Sequence, residues 1–332
     1  MSKVVFQSHN KVGETFSFQT DSNSGTTFDP IITFLGGGSD RVSWDLGDDG
    51  GFVADNSLSH TYPDSGDVKT VMVRTNRLSN LKGLRMDNDD VCGTLNLTKW
   101  NNLGGAFLLM NNQKLTGITH TTSTGVFTDY RVNNCDLTGN HDVSMLTGLG
   151  GQFLAYSNLN LTGITHTAST EVFTDYRVQN CNLTGNYDVS MLTGLGGSFL
   201  IHRNSSLTDV TFPTSTQTFK NGFVSDFSAF VMHSCDLGYV DFTPLSGINM
   251  DTGSTYGASI YLNDNNMTTG EVNHILSDFS GMTSSNLSGW SGVVLVIGGT
   301  NSAPDNSSGG FNGSAAISYL TSATPNWTII TS

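Results

Sequence analysis

Apolar residues in the middle of the chain recur in short groups at regular intervals. Residues 104–149 are followed by a near-copy at 150–195, so that the segment LTGITHT at 115–121 returns 46 residues later. Each copy is itself double. Its leucine anchors stand 22 to 24 residues apart, at Leu115, Leu137, Leu161 and Leu183. Such a period is typical of a solenoid, in which each coil buries its apolar face only against its neighbours.

Every coil carries one short alternating stretch before its anchor. In the best case Tyr130 and Val132 are followed by Cys135 and Leu137, and this arrangement returns at 176–183. The alternation predicts a β-strand with Tyr130 and Val132 pointing into the core, and stacked coils then form one parallel sheet. At least eight coils, and a ninth around 293–297, follow from the anchors Val91, Leu115, Leu137, Leu161, Leu183, Leu207, Leu237 and Met267.

This stretch resembles the leucine-rich-repeat signature L-x-L-x-x-[N/C]-x-L, and the 22- to 24-residue spacing lies in that family's range. The resemblance implies a leucine-rich-repeat solenoid over 77–266. The stretch Leu108-x-Met110-x-x-Gln113-x-Leu115 is aligned to the signature in the same way. This alignment predicts that Leu108 and Met110 point inward and that Leu109 points outward.

The last part of the chain, 267–332, predicts a final repeat and a cap. The segment TTGE at 268–271 has the spacing of a capping box, and the apolar positions of 272–279 are helical. Together with the Trp327 segment, the region resembles a terminal unit of some leucine-rich-repeat proteins of phages and bacteria. A helix followed by a strand would cover the open end of the stack.

Residues 1–76 show no such period. Their distinctive segments are WDLGDDG at 44–50, HTY at 60–62 and GDVKTVMV at 66–73. These resemble the PKD pattern of immunoglobulin-like domains, W-D-F-G-D-G, H-x-Y and G-x-Y-x-V-x-V, with Leu46 for the usual Phe and Val68 for the usual Tyr. The resemblance implies an immunoglobulin-like (PKD) β-sandwich over 1–76. The expected fold class is therefore mainly β: this sandwich, then the solenoid, then a helix-strand cap.

Charge and hydropathy exclude several classes of partner. The 332 residues include 14 Lys and Arg against 28 Asp and Glu, a formal net charge of −14. Because no basic patch is available to displace counterions from a phosphate backbone, nucleic acid is not expected as a partner. No run approaches the roughly 18 apolar residues of a membrane span, so we expect no membrane insertion. The N-terminal segment MSKVVFQSH lacks the apolar stretch of a secretory signal.

The cysteines predict packing and not redox chemistry. Cys135, Cys181 and Cys235 occupy the same repeat position two coils apart, which at about 4.8 Å per strand separates them by roughly 10 Å. A disulfide needs Cα atoms within about 7 Å. We therefore expect free, buried thiols.

Enzymatic chemistry is not expected. The motifs G-x-S-x-G and H-E-x-x-H are absent from the sequence, and glutamate occurs only at Glu14, Glu171 and Glu271. Paired carboxylates for glycoside hydrolysis are set by space and not by sequence, so a polysaccharide-degrading enzyme remains an alternative.

No cofactor is expected either. Two aspartate runs lack the ligand spacing of an EF-hand loop and are interpreted as solvated turns. A calcium ion at the junction between sandwich and solenoid is the alternative. The two runs are Asp45, Asp48 and Asp49, and Asp87, Asp89 and Asp90.

The candidate binding site is the outward row of the parallel sheet, because solenoids of this kind bind partners on extended faces. By alternation this row contains Arg85, Asp87, Leu109, Asn111, Arg131, Asn133, Ala155, Ser157, Arg177, Gln179, Ile201, Arg203, Val231, His233, Tyr261 and Asn263. The candidate ligand-binding residues within it are Arg131, Asn133, Arg177, Gln179, Arg203, His233 and Tyr261. An equal alternative is a merely solvated face on which Arg131 and Arg177 pair with Asp129 and Asp175.

These features together predict a surface protein of a bacteriophage particle, of the spike or fibre kind. PKD-like modules usually stand on extracellular surfaces, yet no secretory signal is visible, and release by lysis reconciles the two facts. We expect the sandwich to dock on other virion proteins and the repeats to recognise a host cell-surface glycan or protein. A homo-oligomer, trimer or pentamer, is expected. The alternatives are a purely structural decoration or spike protein without a receptor role, and a bacterial surface adhesin.

Overall fold

The structure is a computed structural model. It describes residues 14–22, 27–34, 42–48, 52–54, 58–62, 67–75, 81–192, 194–213, 218–219, 230–247, 249–250 and 258–332. Asp49, Gly50 and Gly66, which belong to the PKD-like segments, lie outside the described residues. The fold is mainly β, with a parallel β-solenoid and a C-terminal helix, as the sequence predicts.

The strands, in chain order, are β1 Glu14–Ser22, β2 Thr27–Phe28, β3 Ile31–Phe34, β4 Val42–Asp45, β5 Phe52–Ala54, β6 His60–Thr61, β7 Asp67–Thr75, β8 Leu81–Arg85, β9 Val91–Asn96, β10 Gly105–Leu108, β11 Lys114–Thr119, β12 Phe127–Arg131, β13 Thr138–Asp142, β14 Gly151–Leu154, β15 Asn160–Thr165, β16 Phe173–Arg177, β17 Thr184–Asp188, β18 Leu195–Leu200, β19 Ser206–Thr211, β20 Thr218–Phe219, β21 Phe230–Val231, β22 Asn249–Met250, β23 Ser259–Tyr261, β24 Val294–Val296 and β25 Thr328–Ile330. The helices are α1 Thr269–Ser285 and α2 Gly313–Leu320, with short 3₁₀ turns at Thr243–Leu245 and Ser308–Gly310.

One large sheet runs the length of the solenoid. Within the described part of the chain it has eleven strands, in the order β25-β24-β23-β21-β18-β16-β14-β12-β10-β8-β3. The strands from β8 to β25 pair in parallel. Inside this sheet an aromatic ladder stacks with ring centroids 5.0 to 5.4 Å apart, through Phe107, Tyr130, Phe153, Tyr176 and Phe199. Each coil therefore buries a ring against the ring of the next coil.

The N-terminal strands join both sides of the first coil. Strand β3 pairs antiparallel with β8 at the end of the large sheet, and β1 pairs antiparallel with β9 on the return side. The remaining antiparallel run is β1-β7-β4-β5, and β2 pairs with β6. Phe16 meets Trp100 of the solenoid edge-on, with ring centroids 4.7 Å apart. The N-terminal strands thus cover the apolar end of the stack, which a solenoid would otherwise expose.

Buried amides and thiols alternate along one inner column. Nδ2 of Asn158 donates to the carbonyls of Ala155 (2.8 Å) and Val132 (3.0 Å), and its Oδ1 accepts from the Leu137 amide (3.1 Å). Asn112 and Asn204 bind their own and the preceding coil in the same way. Each asparagine therefore connects two coils through main-chain groups.

In the coils between these asparagines, the same inner position is a cysteine. Cys135 Sγ donates to the Leu109 carbonyl at 3.2 Å, and Cys181 and Cys235 donate to the corresponding carbonyls. Burial raises the pKa of Cys135 and of Cys181 to about 12, so both thiols stay protonated and donate. All four cysteines of the chain are free and buried, which confirms the prediction.

The predicted register is wrong in three alternate coils, those of β10, β14 and β18. Leu109, Ala155 and Ile201, expected to face outward, are completely buried. Phe107 and not Leu108 faces the core there. The cause is an extra residue: two residues separate the buried Asn112 from its anchor Leu115, whereas one separates Cys135 from Leu137. A register counted back from the anchor is therefore wrong by one residue, and it exchanges the inward and outward side chains of the strand.

The C-terminal cap has the predicted helix and strand. Thr268 and Glu271 form the capping box, because the Thr268 hydroxyl accepts from the Glu271 amide and the Glu271 carboxylate accepts from the Thr268 amide. Helix α1 buries Val272, Ile275 and Phe279 against the last coils. The Trp327 indole N–H donates to the Trp290 carbonyl, and Trp327 directly precedes β25. Neither helix has the length and apolar character needed to cross a bilayer, as far as the described residues extend.

Candidate ligand-binding face

Three parallel rows of side chains mark the outward face of the large sheet and its edge at the strand ends. The arginine row is Arg85, Leu108, Arg131, Leu154, Arg177, Leu200, Val231, Tyr261, Val296 and Ile330. The amide row, two residues later on each strand, is Asp87, Met110, Asn133, Tyr156, Gln179, His202, His233 and Asn263. The left-handed row follows at once, with φ between 54° and 65°, at Asn88, Asn111, Asn134, Ser157, Asn180, Arg203, Ser234 and Asp264.

The structure brings the predicted site residues to this one face, although in different rows. Those in the arginine row are Arg131, Arg177 and Tyr261, and those in the amide row are Asn133, Gln179 and His233. Arg203 lies in the left-handed row, one residue past the end of the outward alternation, because its coil has the shifted register. The face is thus a continuous surface with neighbouring strands about 4.8 Å apart.

Two guanidinium groups of the arginine row are already neutralised. Arg131 donates to Asp129 Oδ1 at 2.8 Å and to Gln152 Oε1 at 2.8 Å. Arg177 pairs with Asp175 at 2.8 Å. These are the ion pairs that the solvated-face alternative predicts. They also fix both guanidinium groups in one geometry, with Leu154 between them on the intervening strand.

The amide row has polar atoms that its own protein does not satisfy. In the described part of the chain, twelve buried side-chain nitrogen or oxygen atoms have no hydrogen-bond partner, and four of them belong to this row. They are Asn133 Oδ1, Gln179 Oε1, His202 Nδ1 and Asn263 Oδ1. Native proteins satisfy the great majority of such atoms, so four of them in one row of one face are unusual.

Two histidines stack in the middle of this row. The rings of His202 and His233 are 4.6 Å apart between centroids and inclined by 18°. Burial, together with smaller effects of His233, Arg203 and Arg177, lowers the pKa of His202 to about 4. Burial and Arg203 also lower the pKa of His233, against the opposite effect of Asp264. Both shifts favour the neutral rings, whose nitrogens then offer one donor and one acceptor each.

The sequence does not predict two of the four amide-row residues with unpartnered atoms, His202 and Asn263, as site residues. The shifted register predicts that His202 points inward. The alternation predicts that Asn263 points outward, but Asn263 is not among the candidate ligand-binding residues. The signal that corrects the register is the asparagine spacing. Asn112, Asn158 and Asn204 follow one another at 46 residues. A register that buries these three asparagines at the same position of their coils directs His202 outward.

The protein itself engages part of the second aspartate run. Asp87 accepts hydrogen bonds from the Arg85 guanidinium, and Asp89 Oδ1 accepts from the Asp29 amide at 2.7 Å. Burial raises the pKa of Asp89 to about 8, which favours its neutral form. Across the residues that the structure describes, no three His, Cys, Asp or Glu side chains are placed to hold a metal ion. Asp49 lies outside the described residues.

Comparison with known proteins adds no relative. No family model, no curated protein and no solved structure matches this chain. The chain is therefore described by its own geometry: a parallel β-solenoid with one outward face of paired arginines, unsatisfied amides and stacked histidines.

Proposed function

We propose that the chain is a non-enzymatic surface protein of a bacteriophage particle, of the spike or fibre kind. Its N-terminal region, which resembles a PKD-like immunoglobulin-like domain, docks on other virion proteins. Its solenoid, which resembles leucine-rich repeats, recognises a host cell-surface glycan or protein. The protein acts at the virion surface as a homo-oligomer, trimer or pentamer.

The observation that carries the binding role is the amide row. Its four unpartnered atoms belong to Asn133, Gln179, His202 and Asn263. Leaving a buried polar atom without a partner costs about 1–3 kcal/mol. These atoms are themselves covered, so a ligand reaches them only when the side chains turn outward. A ligand that then completes the hydrogen bonds recovers that free energy on binding, which favours recognition over mere solvation.

A second candidate is a purely structural decoration or spike protein. It is favoured by the ion pairs of Arg131 with Asp129 and of Arg177 with Asp175, which need no ligand to be satisfied. The two candidates differ in what the face does for the particle. Substitutions on the face would impair attachment in the first case, and only assembly or stability in the second.

The experiment is binding of labelled recombinant protein to a panel of intact bacterial strains. Saturable binding to one strain, lost in the triple variant R131A/R177A/R203A, is the expected result. The matched control is R85A, an arginine at the far end of the same row that pairs with Asp87. A folded oligomer that binds no strain would favour the structural role. Presence of the protein in envelopes of uninfected cells would instead identify a bacterial surface adhesin.

A further inference from the structure

We propose that the ligand of this face is a saccharide bearing an anionic group, and that Arg203 binds the anion. The inference rests on the proposed function, because it names the class of ligand for the same face. It is carried by the conformation of Arg203, by the charges around it, and by the unpartnered acceptors next to it.

Arg203 is the exception in its row. The described residues include eleven non-glycine residues with positive φ, and every one except Arg203 is Asn, Asp or Ser. Those three side chains tolerate the left-handed region because they bond to nearby main-chain groups, whereas a long side chain gains nothing there. At the corresponding position 46 residues earlier the chain has Ser157. A residue kept in an unfavourable conformation that its neighbours avoid is a sign of function.

Among the described residues of this face, Arg203 is also the arginine without an acidic partner. Arg85, Arg131 and Arg177 each pair with an aspartate of their own strand or its end. Arg203 makes no side-chain hydrogen bond or ion pair with any residue that the structure describes, and its main chain is held by the His233 carbonyl at 3.0 Å. This local positive charge therefore points to an anionic partner.

The neighbouring acceptors call for hydroxyl donors. Asn263 donates its amide nitrogen to Asp264 Oδ2 at 2.6 Å, which leaves Oδ1 as the unpartnered acceptor. Gln179 Oε1 is a second unpartnered acceptor in the same row. Both side chains are partly exposed while these oxygens are covered, so the two amides rotate outward when a ligand hydroxyl donates to them. From Gln179 to Asn263 the row crosses four adjacent strands, a span of roughly 14 Å. Acceptors spread over this length beside one cation fit a short oligosaccharide that offers hydroxyl groups and one carboxylate or phosphate.

The test is a calorimetric titration of the full chain with three probes. The first is a hexasaccharide containing glucuronic acid, the second is the same hexasaccharide with its carboxyl groups reduced to alcohols, and the third is a hexasaccharide that has phosphate groups in place of the carboxyl groups. The key variant is R203N, because asparagine is the residue that other coils have in the left-handed row, so the variant is expected to fold. R85Q is the control, an exposed arginine of the same sheet face at its far end.

We expect an anionic probe to bind, the reduced hexasaccharide to bind at least tenfold more weakly, R203N to lose at least tenfold in affinity and R85Q to stay within twofold. Binding of the first probe alone identifies the anion as carboxylate, and binding of the third alone identifies it as phosphate. Equal binding of the charged and reduced hexasaccharides, or unchanged affinity in R203N, overturns the inference but leaves the proposed function standing. If none of the probes binds at millimolar concentration, the inference is overturned as well, and the cell-binding experiment then decides the proposed function separately.

Discussion

His141 Nε2 lies 2.7 Å from the hydroxyl of Tyr130 in the solenoid core. His120 Nε2 lies 2.8 Å from the same hydroxyl, so one tyrosine bridges two buried imidazoles. In the second copy Tyr176 takes the place of Tyr130, and its hydroxyl bonds to Tyr187, which replaces His141. The two copies are alike in shape here, but the first has two imidazoles at this junction and the second has one, His166.

This arrangement makes the fold sensitive to acid. Burial is the main reason that the pKa values of His120 and His166 are lowered to about 3 and that of His141 to about 4. The unfolded chain therefore binds more protons than the folded chain between about pH 4 and 6.5. Stability should be full above pH 6.5 and should fall as the pH drops through this window.

The variant H141Y tests this, because the second copy already accepts tyrosine there. At pH 5 a buried neutral histidine of this kind costs about 2 kcal/mol of stability. The difference in free energy of unfolding between pH 7.5 and pH 5, measured by urea denaturation, should thus be about 2 kcal/mol smaller in H141Y than in the wild type. An unchanged difference would show that His141 does not titrate on unfolding.

Asp89 gives a pH dependence of the opposite sign. It occupies the inner-column position at which other coils have Asn112 or Asn158. Its Oδ2 has no partner among the described residues. Burial raises its pKa to about 8, so its contribution to stability is full below about pH 4 and is lost as the pH rises to 8. D89N should be more stable than the wild type by about 2 kcal/mol at pH 8. The advantage should shrink at pH 5, and a constant advantage would refute the titration.

Arg203 should be replaceable with a gain in stability. Removing a long side chain from the left-handed conformation, where asparagine is tolerated, should raise the free energy of unfolding of R203N by about 1 kcal/mol. The mirror substitution N180R, at φ 55° in the same row, should lower it by a similar amount. Urea midpoints of the two variants measure both effects. A destabilised R203N would mean that the arginine serves the fold and not a ligand.

The buried asparagines of the inner column should be far less tolerant of substitution than Arg203. Asn158→Ala removes hydrogen bonds to Leu137, Val132 and Ala155 at once and leaves these main-chain groups buried. A loss of about 3 kcal/mol is expected. Cys181→Ser keeps a small donor at the alternate position of the column, and its loss should stay near 1 kcal/mol. Equal losses in thermal or urea unfolding would contradict the distinction between the two positions.

The sequence is sufficient to predict the stack, because the 46-residue copies repeat both the strand and its anchor. It is not sufficient for the register of alternate coils. There the extra residue between Asn112 and Leu115 is accommodated in the turn, and nothing local distinguishes a turn insertion from a strand shift. Hence His202 was placed inside and Leu109 outside.

Two further features could not be predicted, for a different reason. They are the junction of the N-terminal strands with the first coil and the buried contact of His120, Tyr130 and His141. The pairing of β3 with β8 joins residues about 50 positions apart, and repeats give no information on a segment that does not repeat. The contact between His120, Tyr130 and His141 depends on how the two sides of a coil pack together. Alternation reveals which side chains point inward, but not which of them meet.

The central claim, that the amide row binds a partner, is tested most directly by the double variant N133A/Q179A. Neither side chain has a hydrogen bond to any other described residue, and an unpartnered oxygen of each is buried. Removing them should leave the urea midpoint unchanged or raised. The dissociation constant for the bound bacterial strain should rise at least tenfold, while R85A stays within twofold of the wild type. Unchanged binding in the double variant, with the fold intact, would contradict the account and assign the face to structure alone.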